Sequence, residues 1–308
     1  MAMVCRVENG RPSSRLVFAI LAAALICAVA LCHPKTSYAG TGNHFIWSIE
    51  TDRNTIYLLG SIHVLKIDSV RLPEEVEIAY RDSKKIVFET DLDSGNNPAV
   101  QTKIMALGLL PPGKTLEQEV SSETYRNLKE KVDSSGLQMF LFEQLKPWFC
   151  ALTLATMELQ RLGFDPSRGI DMQFFNKSRA DGKEMIFLED FEYQLNLFAK
   201  MDKNAQEAFL QQTIKDLGVV EATASDMVTA WETGDAEKLH SILKKGFEGF
   251  PDMYDLFILE RNKQWAAQIE ALANQDDNVL VVVGAGHLVG SESLLDLLRS
   301  RGYQPEQL

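Results

Sequence analysis

The sequence predicts an α/β protein with a central, mainly parallel or mixed sheet, flanking helices and a helix-rich middle region. Short, nearly continuous apolar runs occur near both ends of the chain and twice between them, which is typical of strands covered on both faces. Long amphipathic stretches separate these runs, as in a fold built from strands and crossover helices. With 308 residues, 45% of them apolar, the chain can bury a large core.

The strand runs are bounded by charged or turn-forming residues, and the first two read as a hairpin joined by the polar turn 51–54. The predicted strands cover residues 45–50, 55–59, 85–88, 185–188 and 279–283. Helices are predicted over residues 74–83, 122–134, 137–162, 170–181, 191–200, 205–217, 236–245, 253–273 and 291–301. Proline interrupts helical hydrogen bonding, so the third helix should break or restart at Pro147. Residues 40–308 are predicted to form one domain, in which the stretches 98–180 and 191–275 are helical insertions over the sheet.

Residues 1–39 have the pattern of an export signal. Arginines precede an apolar run from Leu16 to Cys32, and small residues around Ala39 suit cleavage before Gly40. An uncleaved membrane anchor is the alternative, although 17 apolar residues lie at the lower limit for a membrane span. We therefore expect a periplasmic or extracellular protein without a membrane span after cleavage.

The charge of the chain limits its possible partners, and its cysteine content limits its possible disulfides. Residues 1–39 hold four basic residues and one acidic residue, so their removal moves the formal net charge from −12 to −15. An acidic surface of this size argues against nucleic acid as a partner. Only Cys150 lies outside the predicted signal, which excludes an intrachain disulfide in the mature chain.

Two of the predicted strands end in the same Gly-x-x-His pattern, from Gly60 to His63 and from Gly284 to His287. The chain has 5 histidines and 19 glycines, so chance would supply about 0.3 such matches. Gly60 and Gly284 fit a strand that leaves the sheet, where a bound group must come close to the backbone. We therefore expect both turns to contribute to one cofactor-binding site.

Carboxylates follow the other two strands. Glu89 and Asp91 come after residues 85–88, whereas Glu189 and Asp190 come after residues 185–188. Ligands of α/β sheets bind outside the carboxyl ends of the strands, so these groups should share a crevice with the histidines if the strands are parallel neighbours. Arg261, on the helix before the last strand, is either a surface residue or a buried cation that steadies negative charge.

Histidines and carboxylates in this arrangement can hold a divalent metal ion that activates water for hydrolysis. His63, Glu89 and His287 are the candidate metal ligands, and Glu189 is a candidate for proton transfer. The structural alternative is that each histidine only caps a neighbouring loop. A second pattern, Gly108 to Thr115, matches a phosphate-binding loop, but two prolines remove backbone N–H donors and the preceding residues look helical, so we reject it.

Several motifs in their order along the chain resemble the TraB/GumN family, which includes the Tiki proteases. These motifs are Leu58 to His63, Phe88 to Asp91, Lys146-Pro147-Trp148, Gly169-Ile170-Asp171, Leu188-Glu189, Glu260-Arg261-Asn262 and Gly284 to Gly290. The resemblance covers nearly all of the chain after the predicted signal. The two Gly-x-x-His motifs, with the glutamate and the arginine between them, are its most specific part.

This resemblance implies a fold related to erythromycin esterase-like and haem-binding ChaN-like proteins. It also implies metal-dependent peptide hydrolysis with manganese or cobalt, and zinc as a further choice. His63 and His287 would be the site histidines, Glu89 the principal carboxylate and Arg261 an assisting cation. Two alternatives stay open: a non-catalytic protein that binds haem, metal or a small ligand in the same crevice, and a metal-independent esterase with a histidine as base.

Overall fold

A six-stranded mixed sheet forms the centre of the computed structural model, which describes residues 44–66 and 70–308. Its strands are β1 (Ile46–Glu50), β2 (Thr55–Ser61), β4 (Lys85–Phe88), β6 (Glu184–Phe187), β7 (Val279–Gly284) and β8 (Glu306–Gln307). A separate two-stranded sheet pairs β3 (Leu65–Lys66) with β5 (Phe164–Asp165). The predicted α/β class is therefore confirmed, whereas the two-residue strands are too short to leave a sequence pattern.

The order of strands in the main sheet is β6-β4-β7-β2-β1-β8. The contacts β2–β7, β7–β4 and β4–β6 are all parallel, whereas β1 pairs antiparallel with both β2 and β8. The register of β2 on β7 runs from Ile56 opposite Val279 to Ser61 opposite Gly284. The two Gly-x-x-His turns therefore leave neighbouring strands at the same edge of the sheet.

Helices surround the sheet and fill the middle of the chain. The described α-helices are α1 (Glu74–Asp82), α2 (Pro98–Gly108), α3 (Leu116–Glu119), α4 (Ser122–Ser134), α5 (Pro147–Arg161), α6 (Ile170–Ala180), α7 (Phe191–Ala199), α8 (Lys203–Asp216), α9 (Val220–Glu232), α10 (Ala236–Gly246), α11 (Pro251–Tyr254), α12 (Glu260–Ala273) and α13 (Leu294–Ser300). A π-helical turn, Asp255–Leu259, joins α11 to α12. Side chains cap several of these helices, as when Asp202 accepts a hydrogen bond from the backbone N–H of Ala205.

Two helix predictions need correction. The predicted restart at Pro147 is confirmed, since α5 begins there, but the earlier part of the predicted helix over residues 137–162 contains only a 3₁₀ turn, Met139–Leu141. Proline fits the first helical position because its missing N–H would have no partner there. The prediction also missed α9, whose preceding residue, Val219, offers no capping side chain.

The expectation that every strand is covered on both faces is wrong for β6. All of β7 is buried, as its continuous apolar sequence predicts. By contrast, β6 lies at the edge of the sheet, its first residue Glu184 is exposed, and Phe187 keeps 36% of its surface in solvent. The apolar residues of β6 are therefore only partly covered, in part by the neighbouring helix α6.

The rejected phosphate-loop pattern lies in a tight connection between helices. Gly108 is the last residue of α2, so no strand precedes the pattern. The backbone N–H of Leu110 donates to Gln144 O, and that of Lys114 donates to Pro111 O. These N–H groups are engaged within the protein, which agrees with the rejection.

Cys150 lies fully buried in α5, and burial raises the pKa of its thiol well above its usual range. No described helix is both long and apolar enough to cross a membrane. The predicted export signal, residues 1–39, lies outside the described residues.

Gly60, predicted to bind a cofactor, has a packing role in the structure. A methyl group on its α-carbon would lie 2.4 Å from the Phe45 ring, and its carbonyl accepts a 2.5 Å hydrogen bond from Trp231 Nε1. The space beside Gly60 is thus filled by the hairpin itself. Its cofactor-binding role stays a prediction.

We expect Gly60→Ala to lower the free energy of unfolding by about 1–3 kcal/mol, because the added methyl group overpacks the contact with Phe45. Chemical denaturation of the purified protein measures this. Gly218→Ala is the matched control, since a methyl group there meets nothing within 4 Å. Equal stability of the two variants would contradict the packing role of Gly60.

Candidate functional site

The carboxyl ends of the four parallel strands bring together the side chains that the sequence singled out. His63 follows β2, Glu89 follows β4, Glu189 follows β6 and His287 follows β7. The backbone N–H of Glu189 donates to Glu89 O at 2.9 Å, which continues the β4–β6 pairing beyond the strands. The predicted convergence of both histidines and both glutamates at one sheet edge is therefore observed.

Glu89 lies at the centre of this group. Its Oε1 is 4.0 Å from His63 Nε2 and 3.9 Å from His287 Nε2. The same oxygen accepts a 2.6 Å hydrogen bond from the backbone N–H of Gly284. One carboxylate oxygen thus faces both histidine rings although 223 residues separate them along the chain.

Arg261, from α12, is buried and links the two glutamates. Its Nη2 donates to Glu89 Oε2 at 2.6 Å and to Glu189 Oε1 at 2.7 Å, and its Nε also donates to Glu189. Its Nη1 donates to Phe257 O at 2.9 Å and contacts His287 Nε2 at 3.2 Å. All five N–H donors of the guanidinium are therefore directed at groups of the chain itself.

Each histidine is held at Nδ1 by a second side chain. Asp171 Oδ2 lies 3.0 Å from His63 Nδ1, and Asn262 Oδ1 lies 2.7 Å from His287 Nδ1. The Trp265 ring packs against the His287 ring, with centroids 4.5 Å apart. The Arg261 guanidinium lies 4.4 Å from the centroid of the Trp265 ring. Neither imidazole is therefore free to rotate without losing a hydrogen bond.

Gly284 is required by the spacing of the site. A methyl group on its α-carbon would lie 2.8 Å from His63 Nε2 and 3.2 Å from Glu89 Oε1. Only glycine therefore lets the second histidine turn pass this close to the first histidine and the glutamate. This position supports the predicted role of Gly284 beside a bound group.

The site opens toward solvent on one side. The side chains of His63, Asp171 and Glu89 are 20%, 15% and 13% exposed, whereas those of Arg261 and Glu189 are 8% and 5% exposed. A ligand therefore reaches His63 and Glu89 first, with the Arg261–Glu189 contact behind them.

The surroundings move the histidine pKa values in opposite directions. Burial alone would lower the pKa of His63, but the charge and hydrogen bond of Asp171, with the charge of Glu89, raise it to about 9. Burial and the Arg261 charge lower the pKa of His287 to about 3. The difference follows from a carboxylate partner in one case and an amide partner in the other.

The two glutamates also differ. Burial would raise the pKa of Glu89, but Arg261, both histidines and the Gly284 N–H lower it to about 2. Burial raises the pKa of Glu189, and Arg261 only partly opposes this shift. Glu89 is therefore the fixed anion of the pair, whereas Glu189 holds a proton more readily.

The types of donor atom in the site suit a divalent ion, whereas the distances between them are too long for one ion. Two imidazole Nε2 atoms face one carboxylate oxygen, and each Nδ1 is held by a further group, as is usual around metal-binding histidines. Ligand atoms sharing one ion lie roughly 3–3.5 Å apart, so each histidine stands about half an ångström too far from Glu89. Accordingly, no three His, Cys, Asp or Glu side chains of residues 44–66 and 70–308 are close enough together to enclose a metal ion.

Sequence reasoning found part of this site and missed its helical members. Asp171 and Asn262 belong to motifs of the sequence, but no function was predicted for them. Gln194, whose side-chain amide donates to both glutamates, lies in no motif. The candidate Asp91 instead accepts a hydrogen bond from the nearby Asp93 N–H. Asp190 precedes α7 and makes no side-chain cap.

Comparison with known proteins finds similar sequences. The model of the family described as TraB/PrgY/gumN matches residues 45–307. The protein YbaP of Escherichia coli, described as uncharacterized, is 26% identical over 86% of this chain and 97% of its own length. No solved structure matches the chain.

More distant relatives carry the name of an enzyme. The zebrafish (Danio rerio) protein named metalloprotease TIKI2 is 24% identical over 86% of this chain and 61% of its own length. The human protein named metalloprotease TIKI1 is 23% identical, with 86% of this chain and 62% of its own length covered. The chain therefore spans less than two thirds of these relatives.

We expect Arg261→Met to lower the free energy of unfolding by about 3–5 kcal/mol at pH 7, because two buried carboxylates would lose their cation. The loss should shrink as the pH falls from about 4.5, the ordinary pKa of glutamate, towards the Glu89 pKa of about 2, because the stability that Arg261 supplies through this lowered pKa is lost across that range. Denaturation at pH 7 and pH 3 measures both effects.

Arg299→Met is the matched control, because Arg299 forms an exposed pair with Asp296. We expect it to change stability by about 0–1 kcal/mol at either pH. A loss for Arg261→Met that is equally small, or independent of pH, would show that Arg261 does not balance the two glutamates.

Proposed function

The chain belongs to the TraB/PrgY/gumN family, and from this premise we propose that it is an exported, metal-dependent hydrolase that cleaves peptide bonds. The observation that carries the proposal is the convergence of His63, Glu89 and His287 at the carboxyl edge of the sheet. Relatives named metalloprotease support the hydrolase class. The acidic composition and the predicted signal support export without a nucleic-acid partner.

In this proposal His63, Glu89 and His287 hold the ion, with manganese or cobalt preferred and zinc as a further choice. Such an ion, when bound, lowers the pKa of a water molecule and polarises a scissile carbonyl. For His287 Nε2 to hold the ion, its 3.2 Å contact with Arg261 Nη1 would have to be given up, whereas Nη1 would keep its hydrogen bond to Phe257 O. A peptide substrate enters from the open side, beside His63.

Glu189 and Arg261 act behind the ligands. Glu189 has a raised pKa and lies next to Glu89, so it can hold a proton that the reaction releases. Every N–H of Arg261 already donates to the chain, so its role is to position both glutamates and to supply a positive field toward developing negative charge.

A second candidate is metal-independent hydrolysis, as in an esterase. The hydrogen bond between Asp171 and His63 favours it, since a carboxylate-paired histidine is a suitable general base. The buried Arg261 would then be the cation of the site. The two candidates differ in whether a chelator stops the reaction.

We expect the purified protein to bind about one divalent ion per chain. His63→Ala and His287→Ala should each abolish metal binding and cleavage of a peptide library in the presence of Mn²⁺. Elemental analysis and mass spectrometry of the products measure the two effects. His240→Gln is the control, since His240 lies on α10 and makes no hydrogen bond to the site.

The outcomes separate the candidates. Full metal content in both histidine variants would overturn the metal site. Cleavage that survives a chelator but requires His63 would favour the metal-independent reaction. Stoichiometric binding of haem or metal without any turnover would instead indicate a non-catalytic binding protein.

A further inference from the structure

The two histidines of the site differ in the side chain that holds Nδ1. His63 faces the Asp171 carboxylate at 3.0 Å, whereas His287 faces the Asn262 amide at 2.7 Å. Both contacts come from helices: Asp171 is the second residue of α6, and Asn262 is the third residue of α12. Neither residue has a role in the proposed metal-dependent reaction.

Hydrogen-bond chemistry fixes where the ring proton lies in each case. An ionised carboxylate can only accept, so His63 must donate from Nδ1. Asn262 Nδ2 donates to Glu292 O at 3.0 Å, which turns its Oδ1 toward His287 and makes His287 Nδ1 the donor as well. Arg261 Nη1, which can only donate, meets the lone pair of His287 Nε2.

The backbone is shaped to bring Asp171 to His63. The Ile170 N–H donates to Ile62 O at 3.0 Å, one residue before the histidine. A methyl group on Gly169 would lie 2.3 Å from His63 O and 2.7 Å from Asp171 Oδ1. Asp171 Oδ1 is buried there without a hydrogen-bond partner, so the hydrogen bonding of this carboxylate is directed to His63.

We propose that Asp171 and Asn262 are positioning residues that accept the Nδ1 protons of His63 and His287, so that both rings take the Nδ1–H tautomer and Nε2, the nitrogen nearer Glu89, is unprotonated in each. The opposite tautomer of His63 would set two acceptors against each other at Asp171. The opposite tautomer of His287 would set two donors against each other at Arg261. The value of this arrangement for metal binding rests on the proposed function, whereas the tautomers themselves do not.

The tautomers can be measured by NMR of protein labelled with ¹⁵N-histidine. The spectra are recorded at a pH above which the ¹⁵N chemical shifts of the His63 ring no longer change, so that the ring is neutral. In the wild-type protein both rings should show a protonated Nδ1 and an unprotonated Nε2. We expect Asp171→Ala to give a mixture of tautomers at His63 and leave His287 unchanged. Asn262→Ala should move the His287 Nδ1–H signal away from its hydrogen-bonded chemical shift and leave His63 unchanged, because Arg261 Nη1 still keeps His287 Nε2 unprotonated. Each variant is the control for the other.

Asp171→Asn keeps the volume of the side chain, so it tests the hydrogen bond even if Asp171→Ala does not fold. Its amide can donate as well as accept, so the Nε2–H tautomer of His63 should become populated in this variant too. An unchanged Nδ1–H signal for His63 in both Asp171 variants, with native chemical shifts elsewhere, would overturn the proposal for Asp171. An unchanged chemical shift of the His287 Nδ1–H group in Asn262→Ala would overturn the proposal for Asn262.

A second readout connects the tautomers to the site. We expect Asp171→Ala to weaken Mn²⁺ binding about 10- to 100-fold, the usual effect of losing such a partner. In a peptide-cleavage assay at saturating Mn²⁺ it should lower kcat with little change in KM, because Asp171 acts through His63. If wild-type protein binds no metal and cleaves no peptide, the proposed function fails while the NMR result still decides the tautomers.

Discussion

The buried guanidinium of Arg261 is the interaction on which the rest of the site depends. Glu89 and Glu189 lie side by side at the ends of neighbouring strands, and two buried carboxylates this close would repel each other without a cation between them. Arg261 supplies that cation and donates to both glutamates, while His63 and His287 lie on the other side of Glu89 Oε1. A divalent cation would meet Glu89 from the more exposed side, beside His63.

The residues of the site that follow strands can be predicted from the sequence, for a physical reason. Fully buried parallel strands must be short, apolar runs, so β4 and β7 stand out, and whatever follows them lies at one sheet edge. This is why Glu89 and His287 could be placed together without knowledge of the strand order. The edge position of β6 could not be inferred, because local patterns do not record which strand is outermost.

The residues of the site that lie on helices could not be predicted in the same way. Asp171, Gln194 and Asn262 reach the site only because of how α6, α7 and α12 dock on the sheet, and docking is decided by packing between distant segments. A carboxylate in the first turn of a helix ordinarily stabilises that helix, so the role of Asp171 was hidden behind a common local pattern. Likewise, α9 lacks the capping residue that marks most helix starts.

The strand order has a further consequence for how the protein is made. The central neighbours β2 and β7 come from opposite ends of the described chain, and the outer strand β8 pairs with β1 only through Glu306 and Gln307. A nascent chain that still lacks β7 has no Gly284 and no His287, and its strand β2 is paired with β1 alone. His287 can therefore join His63 and Glu89 only after β7 has been made, late in the translation of the described residues.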